Sequence, residues 1–279
     1  MADIKFKKSE SQHILKNHGL IDTIIDKAKL KHTDIALEVG AGTGVITMKL
    51  LQKAQKVIAY ESDKKLAKEL MNKVNRTPDL KKKLSLVVGD ALMQDFPHFD
   101  VCISNIPFNI SCPVIMKLLT YNFKSAFILV QKEFGDRMTA NPGSENYSRL
   151  SVMCQFVGQV EQVMKVSKNS FIPAPKVDTC FMKIEARTPR PPINIEEFDS
   201  LLKICFGRKN KTLSANLKSS PLQNKIKNLP EYSQANPDHI IDKIVEKLNF
   251  EDMRTAKMNI EDFLSLLLEF KRVGIHFDS

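Results

Sequence analysis

The chain has 279 residues, of which 43% are hydrophobic and 27% are charged, enough for one large domain and a smaller second one. Its formal net charge of +10 indicates either an ordinary basic surface or a polyanionic partner, depending on how the charges cluster. No run approaches the roughly 18 apolar residues of a membrane span, and residues 1–11 lack the apolar core of a signal peptide. We therefore expect neither a membrane protein nor a secreted one.

The cysteines are scattered, odd in number and without a Cys-x-x-Cys pair. This pattern predicts reduced thiols, mostly in the core of an intracellular protein, with neither a metal site nor a disulfide framework. The five are Cys102, Cys112, Cys154, Cys180 and Cys205.

The first predicted elements are a helix at residues 12–30, whose apolar residues recur at helical spacing, and a short apolar strand at residues 35–39. The strand ends in the turn Gly40-Ala41-Gly42-Thr43-Gly44, and a second helix follows. Strand, glycine turn and helix together form the first half of a nucleotide-binding α/β unit. In such a unit the glycines let the backbone bend sharply and approach a ligand.

Three more strands are predicted at residues 56–60, 84–88 and 99–104. They are followed by Glu61, Asp90 and Asn105, and the ends of parallel strands line one crevice where ligands bind. Each residue has an ordinary explanation alone, Glu61 as a solvated acid and the other two as helix caps. The ordered series from the glycine turn to Asn105-Ile106-Pro107-Phe108 is more specific than any of its members.

The glycine pattern distinguishes among nucleotide cofactors. A dinucleotide dehydrogenase prefers Gly-x-Gly-x-x-Gly, and a P-loop ATPase needs Gly-x-x-x-x-Gly-Lys-Ser/Thr, which the chain lacks. The pattern fits S-adenosylmethionine, with the ribose at Glu61, the adenine amine at Asp90 and the methionine part along the glycine turn. We therefore predict an α/β fold, a Rossmann-like S-adenosylmethionine-dependent methyltransferase domain with a mostly parallel sheet and helices on both faces.

The remaining elements of this domain are predicted as a strand at 125–130, a charged helix at 131–140, a helix and a strand within 150–166, and a last strand at 177–184. The segment Thr188-Pro189-Arg190-Pro191-Pro192 is a stiff linker. We place the boundary there, between a catalytic domain at 1–187 and a smaller helical domain at 188–279.

The positive charge is concentrated in the second domain, where residues 203–227 contain seven basic residues and no acidic one. A charged run is usually a solvated face, but a run without acids beside a site that handles a base favours contact with an RNA backbone. The candidate RNA-binding residues are Arg208, Lys209, Lys211 and Lys218.

Seven motifs occur in order: Gln12-His13-Ile14-Leu15-Lys16-Asn17, Glu38-Val39-Gly40-Ala41-Gly42-Thr43-Gly44, Asn105-Ile106-Pro107-Phe108, Gln131-Lys132-Glu133-Phe134, Pro175-Lys176-Val177-Asp178, Arg208-Lys209-Asn210-Lys211-Thr212-Leu213-Ser214 and Gly274-Ile275-His276-Phe277. With them the chain resembles the ribosomal RNA adenine N6,N6-dimethyltransferases, most closely their eukaryotic small-subunit branch. The resemblance implies S-adenosyl-L-methionine as cofactor and two adjacent adenines near the 3′ end of small-subunit rRNA as substrate. It further implies a monomer that acts on a pre-ribosomal particle in ribosome biogenesis, in the nucleus or nucleolus, with the cytoplasm as an alternative before the mitochondrion.

The resemblance also implies the cofactor-binding residues, which are Gln12, His13, Leu15, Gly40, Gly42, Glu61, Ser62, Asp90, Ala91 and Asn105. The chain departs from the family pattern at two positions. Ala41 stands where relatives often have proline, which we expect to be harmless in the turn. Phe108 stands where relatives more often have tyrosine, so stacking survives but a hydroxyl is lost.

Adenine N6 is a poor nucleophile because its lone pair is delocalised into the ring. We expect the Asn105 side-chain oxygen and the carbonyl of Ile106 or Pro107 to accept its two hydrogens while Phe108 stacks on the base. Positioning then replaces a general base, a metal or a covalent nucleophile. Phe171, in a loop braced by prolines, is a candidate for the other face of the base, and simple core packing is its alternative.

Three other functions stay open at this point. A large-subunit rRNA adenine methyltransferase shares the Asn-Ile-Pro-aromatic motif, but the block at residues 208–214 argues against it. An RNA-binding ribosome-assembly factor or a mitochondrial transcription factor could use the same fold, but the intact Glu61, Asp90 and Asn105 favour catalysis. A Rossmann dehydrogenase is disfavoured by the glycine pattern and the basic segment.

Overall fold

The computed structural model describes residues 13–15, 18–208, 211–219 and 221–277. Contacts divide the chain into two compact units. The sheet unit comprises residues 1–136 and 157–190, and the helical unit comprises residues 137–156 and 191–279. No helix in the described part of the chain is long and apolar enough to cross a membrane.

The strands are β1 (Ile14–Leu15), β2 (Ile35–Val39), β3 (Lys56–Glu61), β4 (Leu84–Val88), β5 (Val101–Asn105), β6 (Ser125–Gln131), β7 (Gly158–Val166), β8 (Phe171–Ile172) and β9 (Thr179–Ala186). The helices in the first half are α1 (His18–Lys27), α2 (Val45–Lys53), α3 (Lys64–Val74), α4 (Pro78–Lys81), α5 (Ser111–Thr120) and α6 (Lys132–Met138). The later helices are α7 (Arg149–Val157), α8 (Ile195–Cys205), α9 (Leu213–Lys218), α10 (Leu222–Lys227), α11 (Pro237–Lys247) and α12 (Ile260–Arg272).

Seven strands form the main sheet in the order β4-β3-β2-β5-β6-β9-β7. Strands β2 to β6 pair in parallel, and β9 is antiparallel to both of its neighbours. Successive residues of β5 and β6 are buried, so both faces of the sheet are covered. The predicted α/β fold with a mostly parallel sheet is confirmed.

The order of the strands reverses between β2 and β5, since β3 and β4 lie on one side of β2 and β6 lies beyond β5. A crevice opens at such a reversal, outside the carboxyl ends of the strands. The buried hydroxyl of Ser104 accepts a hydrogen bond from the Val39 N–H at 2.9 Å, so these two strands are also tied by a side chain at that end.

A two-stranded sheet was not predicted. It pairs β1 with β8 antiparallel, with Leu15 opposite Phe171. Both side chains are buried in the hydrophobic core of the sheet unit. This pairing brings the segment around His13 next to the carboxyl ends of the main strands.

The helical unit contains more than the predicted C-terminal domain. The predicted boundary between residues 187 and 188 lies close to the passage from unit to unit at residue 190, but residues 137–156 belong with the C-terminal helices. The buried hydroxyl of Tyr147 donates to the Met258 carbonyl at 2.7 Å, and the ring of Phe156 packs on that of Phe198 at 4.7 Å. A division by a single boundary therefore misses this segment.

Candidate active site

A cavity of about 260 Å³ lies in the sheet unit at the carboxyl ends of β2, β3, β4 and β5. The predicted cofactor residues that line it are His13, Leu15, Gly40, Gly42, Glu61, Ser62, Asp90, Ala91 and Asn105. Ile106, Pro107 and Phe108 line it as well. Gln12 lies outside the described residues.

The glycine turn approaches the Asn105 motif closely at Gly40. Gly40 has φ +82°, and a Cβ there would lie 3.2 Å from both the Asn105 carbonyl oxygen and Pro107 Cδ. Gly42 has φ +56°, and a Cβ there would meet nothing within 4 Å. The positive φ favours glycine at both positions, and at Gly40 the close approach does so as well.

Glu61 holds the glycine turn. Its two carboxylate oxygens accept from the N–H of Gly42 at 2.7 Å and of Asp63 at 2.8 Å. The side chain is buried rather than solvated, and burial raises the pKa of Glu61 above its ordinary value. Each carboxylate oxygen retains a further lone pair that can accept from a ligand hydroxyl.

Asp90 precedes a short loop that runs to Gln94. One oxygen of Asp90 accepts from the Leu92 N–H at 2.9 Å, so the residue does cap a turn. Lys117 on α5 holds the same loop through three hydrogen bonds. Its ammonium donates to the carbonyls of Ala91 at 3.0 Å, Leu92 at 3.3 Å and Gln94 at 2.5 Å. No pattern in the sequence indicates this role of Lys117, since the contacts join residues at least 23 positions apart.

Among the residues that the structure describes, one side-chain hydrogen bond orients Asn105. Its amide nitrogen donates to the His13 carbonyl at 2.9 Å, which leaves the side-chain oxygen to accept from a ligand. The Pro107 carbonyl already accepts from the Ile110 N–H at 3.0 Å and the Ser111 hydroxyl at 3.4 Å. Of the two predicted backbone acceptors, the structure therefore favours the Ile106 carbonyl.

The two predicted stacking residues differ in their surroundings. The ring of Phe108 lines the cavity, with the His13 ring stacked on it at 5.3 Å between centroids, so the base must use its other face. His13 is held in turn by a 2.7 Å hydrogen bond between Nδ1 and the Pro173 carbonyl. The prediction for Phe171 is wrong, because its side chain is only 2% exposed and packs in the core of the sheet unit.

Glu38 was given no role from the sequence, although it lines the cavity. It is 1% exposed and accepts a hydrogen bond from the Thr47 hydroxyl at 2.6 Å. Burial, with a smaller contribution from the neighbouring Glu61, raises the pKa of Glu38 to about 8. An acid within an otherwise apolar strand is the signal that could have identified it.

The predicted RNA-binding residues lie in the helical unit and are not equally available. Arg208 donates to the Ala215 carbonyl and the Ser219 hydroxyl, both at 2.6 Å. Lys218 is paired with Asp242 at 2.6 Å, so its charge is partly compensated within the chain, and its contact with RNA stays a prediction. Lys211 is exposed, and Lys209 lies outside the described residues.

The sequence of this chain is similar to those of known proteins over most of its length. A family model described as ribosomal RNA adenine dimethylase matches residues 3–256. A probable dimethyladenosine transferase of Dictyostelium discoideum is 44% identical, covering 99% of this chain and 92% of the relative. A dimethyladenosine transferase of Schizosaccharomyces pombe is 42% identical, covering 98% of this chain and 92% of the relative.

Solved structures show the same fold. A dimethyladenosine transferase from Plasmodium falciparum is 39% identical with a TM-score of 0.83, over 95% of this chain and all of that one. The 23S rRNA methyltransferase ErmE is 25% identical with a TM-score of 0.63, over 92% of this chain and 99% of that one.

Proposed function

Because the chain belongs to the ribosomal RNA adenine dimethylase family and is an rRNA adenine dimethyltransferase, we propose that it methylates N6 of two adjacent adenines near the 3′ end of small-subunit rRNA. The observation that carries the proposal is the side-chain oxygen of Asn105, which accepts no hydrogen bond from the described residues, in a cavity shared with Glu61 and the glycine turn. The family and the fold imply S-adenosylmethionine as the methyl donor.

The residues of the cavity fit this cofactor. Buried Glu61 offers lone pairs at the end of β3, where a ribose hydroxyl can donate. The absence of a Cβ at Gly42 leaves open space beside the turn. Asp90 and Ala91 line the cavity at the end of β4, on the side where we place the adenine ring. When bound, the cofactor supplies an electrophilic sulfonium methyl group.

The chemistry assigned to the chain is the positioning of a weak nucleophile. The Asn105 oxygen and the Ile106 carbonyl accept the two N6 hydrogens, which draws the nitrogen lone pair out of conjugation with the ring. Phe108 stacks on the extruded base, a contact typically contributing about 1–3 kcal/mol. Each transfer replaces one N6 hydrogen by a methyl group and releases one proton.

We extend the proposal to the setting of the reaction. The protein acts as a monomer on a pre-ribosomal particle during small-subunit biogenesis, in the nucleus or nucleolus, with the cytoplasm as the alternative. The similarity to eukaryotic relatives over nearly the full chain supports this setting. The exposed Lys211 in the helical unit supports contact with RNA.

The substrate is tested by offering the purified protein three RNAs with S-adenosylmethionine: small-subunit rRNA alone, the same rRNA in precursor particles, and large-subunit rRNA. Mass spectrometry of nuclease fragments then locates dimethyladenosine. We expect two adjacent modified adenines near the 3′ end of small-subunit rRNA, with more product in the particles. Modification confined to large-subunit rRNA would contradict the proposal.

A further inference from the structure

A second basic segment lies in the sheet unit, separate from residues 203–227. Residues 63–83, which include α3 and α4, contain eight basic and three acidic residues. In the sequence, the acidic residues obscure the excess of positive charge in this segment. The excess becomes clear only when the exposed and buried faces of α3 are considered separately.

Helix α3 sorts its residues sharply by face. Leu66, Ala67, Leu70 and Val74 are buried, at the spacing of one helical face. Lys64, Lys65 and Lys68 are exposed on the opposite face. Arg76 and Lys81 continue the exposed basic residues past the end of the helix. We call these five basic residues the α3 surface.

The acids of the segment are already engaged. Asp63 caps α3, accepting from the N–H of Lys65 at 2.7 Å. Glu69 lies 3.6 Å from Lys73, and Asp79 lies 3.7 Å from Lys82. Within the described residues, no ion pair involves a member of the α3 surface. The α3 surface therefore carries positive charge that no acidic side chain of the described residues neutralises through an ion pair.

The α3 surface lies on an element that also forms a wall of the cavity. Leu66 on α3 and Ser62 just before it line the cavity. Lys73 donates to the Thr43 carbonyl at 2.7 Å, which ties α3 to the glycine turn. The exposed lysines at the start of the helix are thus a few residues from the cofactor pocket.

We propose that the α3 surface binds the phosphate backbone of the RNA whose adenine enters the cavity, an inference that rests on the proposed function. A polyanion matches uncompensated lysines without requiring apolar anchors. The large exposed hydrophobic residues of the described chain are Val88, Met93, Ile172 and Leu268, so the α3 surface has none of the apolar or aromatic anchors typical of a protein partner.

The test compares two matched pairs of charge reversals, Lys64→Glu with Lys68→Glu, and Lys27→Glu with Lys31→Glu. Both pairs are exposed, four residues apart and in the sheet unit. The control pair precedes the amino end of β2, whereas the cavity lies at the carboxyl ends of the strands. Fluorescence anisotropy measures binding of a transcript from the 3′ region of small-subunit rRNA as salt is raised, and circular dichroism checks that both variants remain folded.

We expect the α3 pair to weaken binding by about tenfold or more at low salt, and to reduce the salt slope by about 1–2, because each phosphate contact contributes roughly 0.7–0.9 to it. The control pair should stay within about twofold of the wild type. An equal loss in both pairs shows a general charge effect and overturns the proposal, as does unchanged binding in the α3 pair.

Methylation of the same transcript by the wild-type protein separates the two claims. If the wild type methylates the RNA and the α3 double variant binds it as tightly as the wild type, the proposal for the α3 surface is wrong and the proposed function stands. If the wild type binds the RNA without methylating any rRNA and the α3 double variant binds it weakly, the proposed function fails. The proposal that the α3 surface binds RNA then stands.

Discussion

Glu38 and Glu61 place two buried carboxyl groups around one cavity. Burial raises the pKa of both, that of Glu38 to about 8, so Glu38 is mostly protonated at neutral pH. Protonation avoids the cost of two neighbouring buried negative charges. The Thr47 hydroxyl donates to the same carboxyl group and fixes its position.

The elevated pKa of Glu38 makes stability depend on pH. The unfolded chain releases the Glu38 proton near pH 4.5, whereas the folded chain holds it until about pH 8. The free energy of unfolding should therefore fall as pH rises through this window and level off above it. Urea denaturation at pH 5, 6.5 and 8 measures the decline.

The Glu38→Gln variant has no proton to release, so its free energy of unfolding should decline less over the same window. The raised pKa of Glu61 leaves it a remaining slope of the same sign. A variant that declines as steeply as the wild type would show that Glu38 is not the source.

The roles of individual residues were predictable where a pattern exposes them. Asn105 and Glu61 stand out because each follows an apolar strand. The hydrogen-bond partner that orients Asn105 could not be predicted from the sequence, because the His13 carbonyl lies 92 positions away. Phe171 was mistaken for a stacking residue because its strand partner, Leu15, lies in a two-residue strand without any detectable period.

At the scale of elements, α5 connects the Asn105 motif to the loop after β4. The helix begins at Ser111, whose hydroxyl donates to the Pro107 carbonyl, and it carries Lys117 to the carbonyls of the loop. Lys117 also lies 4.8 Å from the centroid of the Phe96 ring. The loop contains Ala91, which lines the cavity on the side assigned to the cofactor's adenine.

Replacing Lys117 by methionine removes the donor while keeping much of the apolar stem. We expect the KM for S-adenosylmethionine to rise by about tenfold with a small change in kcat, since a lost hydrogen bond to a charged group costs about 1.5–3 kcal/mol. Lys117→Arg should restore most of the affinity. A fall in kcat alone, or no rescue by arginine, would contradict a positioning role.

The main strands were predictable to within two residues because their apolar runs are long and bounded by polar residues. β4 begins and ends as predicted, whereas β5 starts at Val101 rather than residue 99. There the Asp100 N–H donates to the Ile35 carbonyl, and its carboxylate accepts from the Ile35 N–H, before the strand begins. Such contacts between distant segments leave no periodic trace.

At the scale of the whole molecule, the division into units depends on contacts that composition does not reveal. The proline-rich linker lies at one passage between the units, whereas residues 137–156 join the helical unit through side chains such as Tyr147. The distribution of charge was likewise only partly predictable. The acid-free segment at residues 203–227 was visible in the sequence, whereas the α3 surface was not.

The proposed function depends on Asn105 presenting adenine N6 for methylation in ribosomal RNA. Its most direct test is mass spectrometry of nucleosides from small-subunit rRNA incubated with S-adenosylmethionine and the wild type, Asn105→Ala, or the exposed control Asn169→Ala. We predict dimethyladenosine with the wild type and the control, and none with Asn105→Ala at an unchanged melting temperature. Wild-type levels of dimethyladenosine from Asn105→Ala would contradict the account.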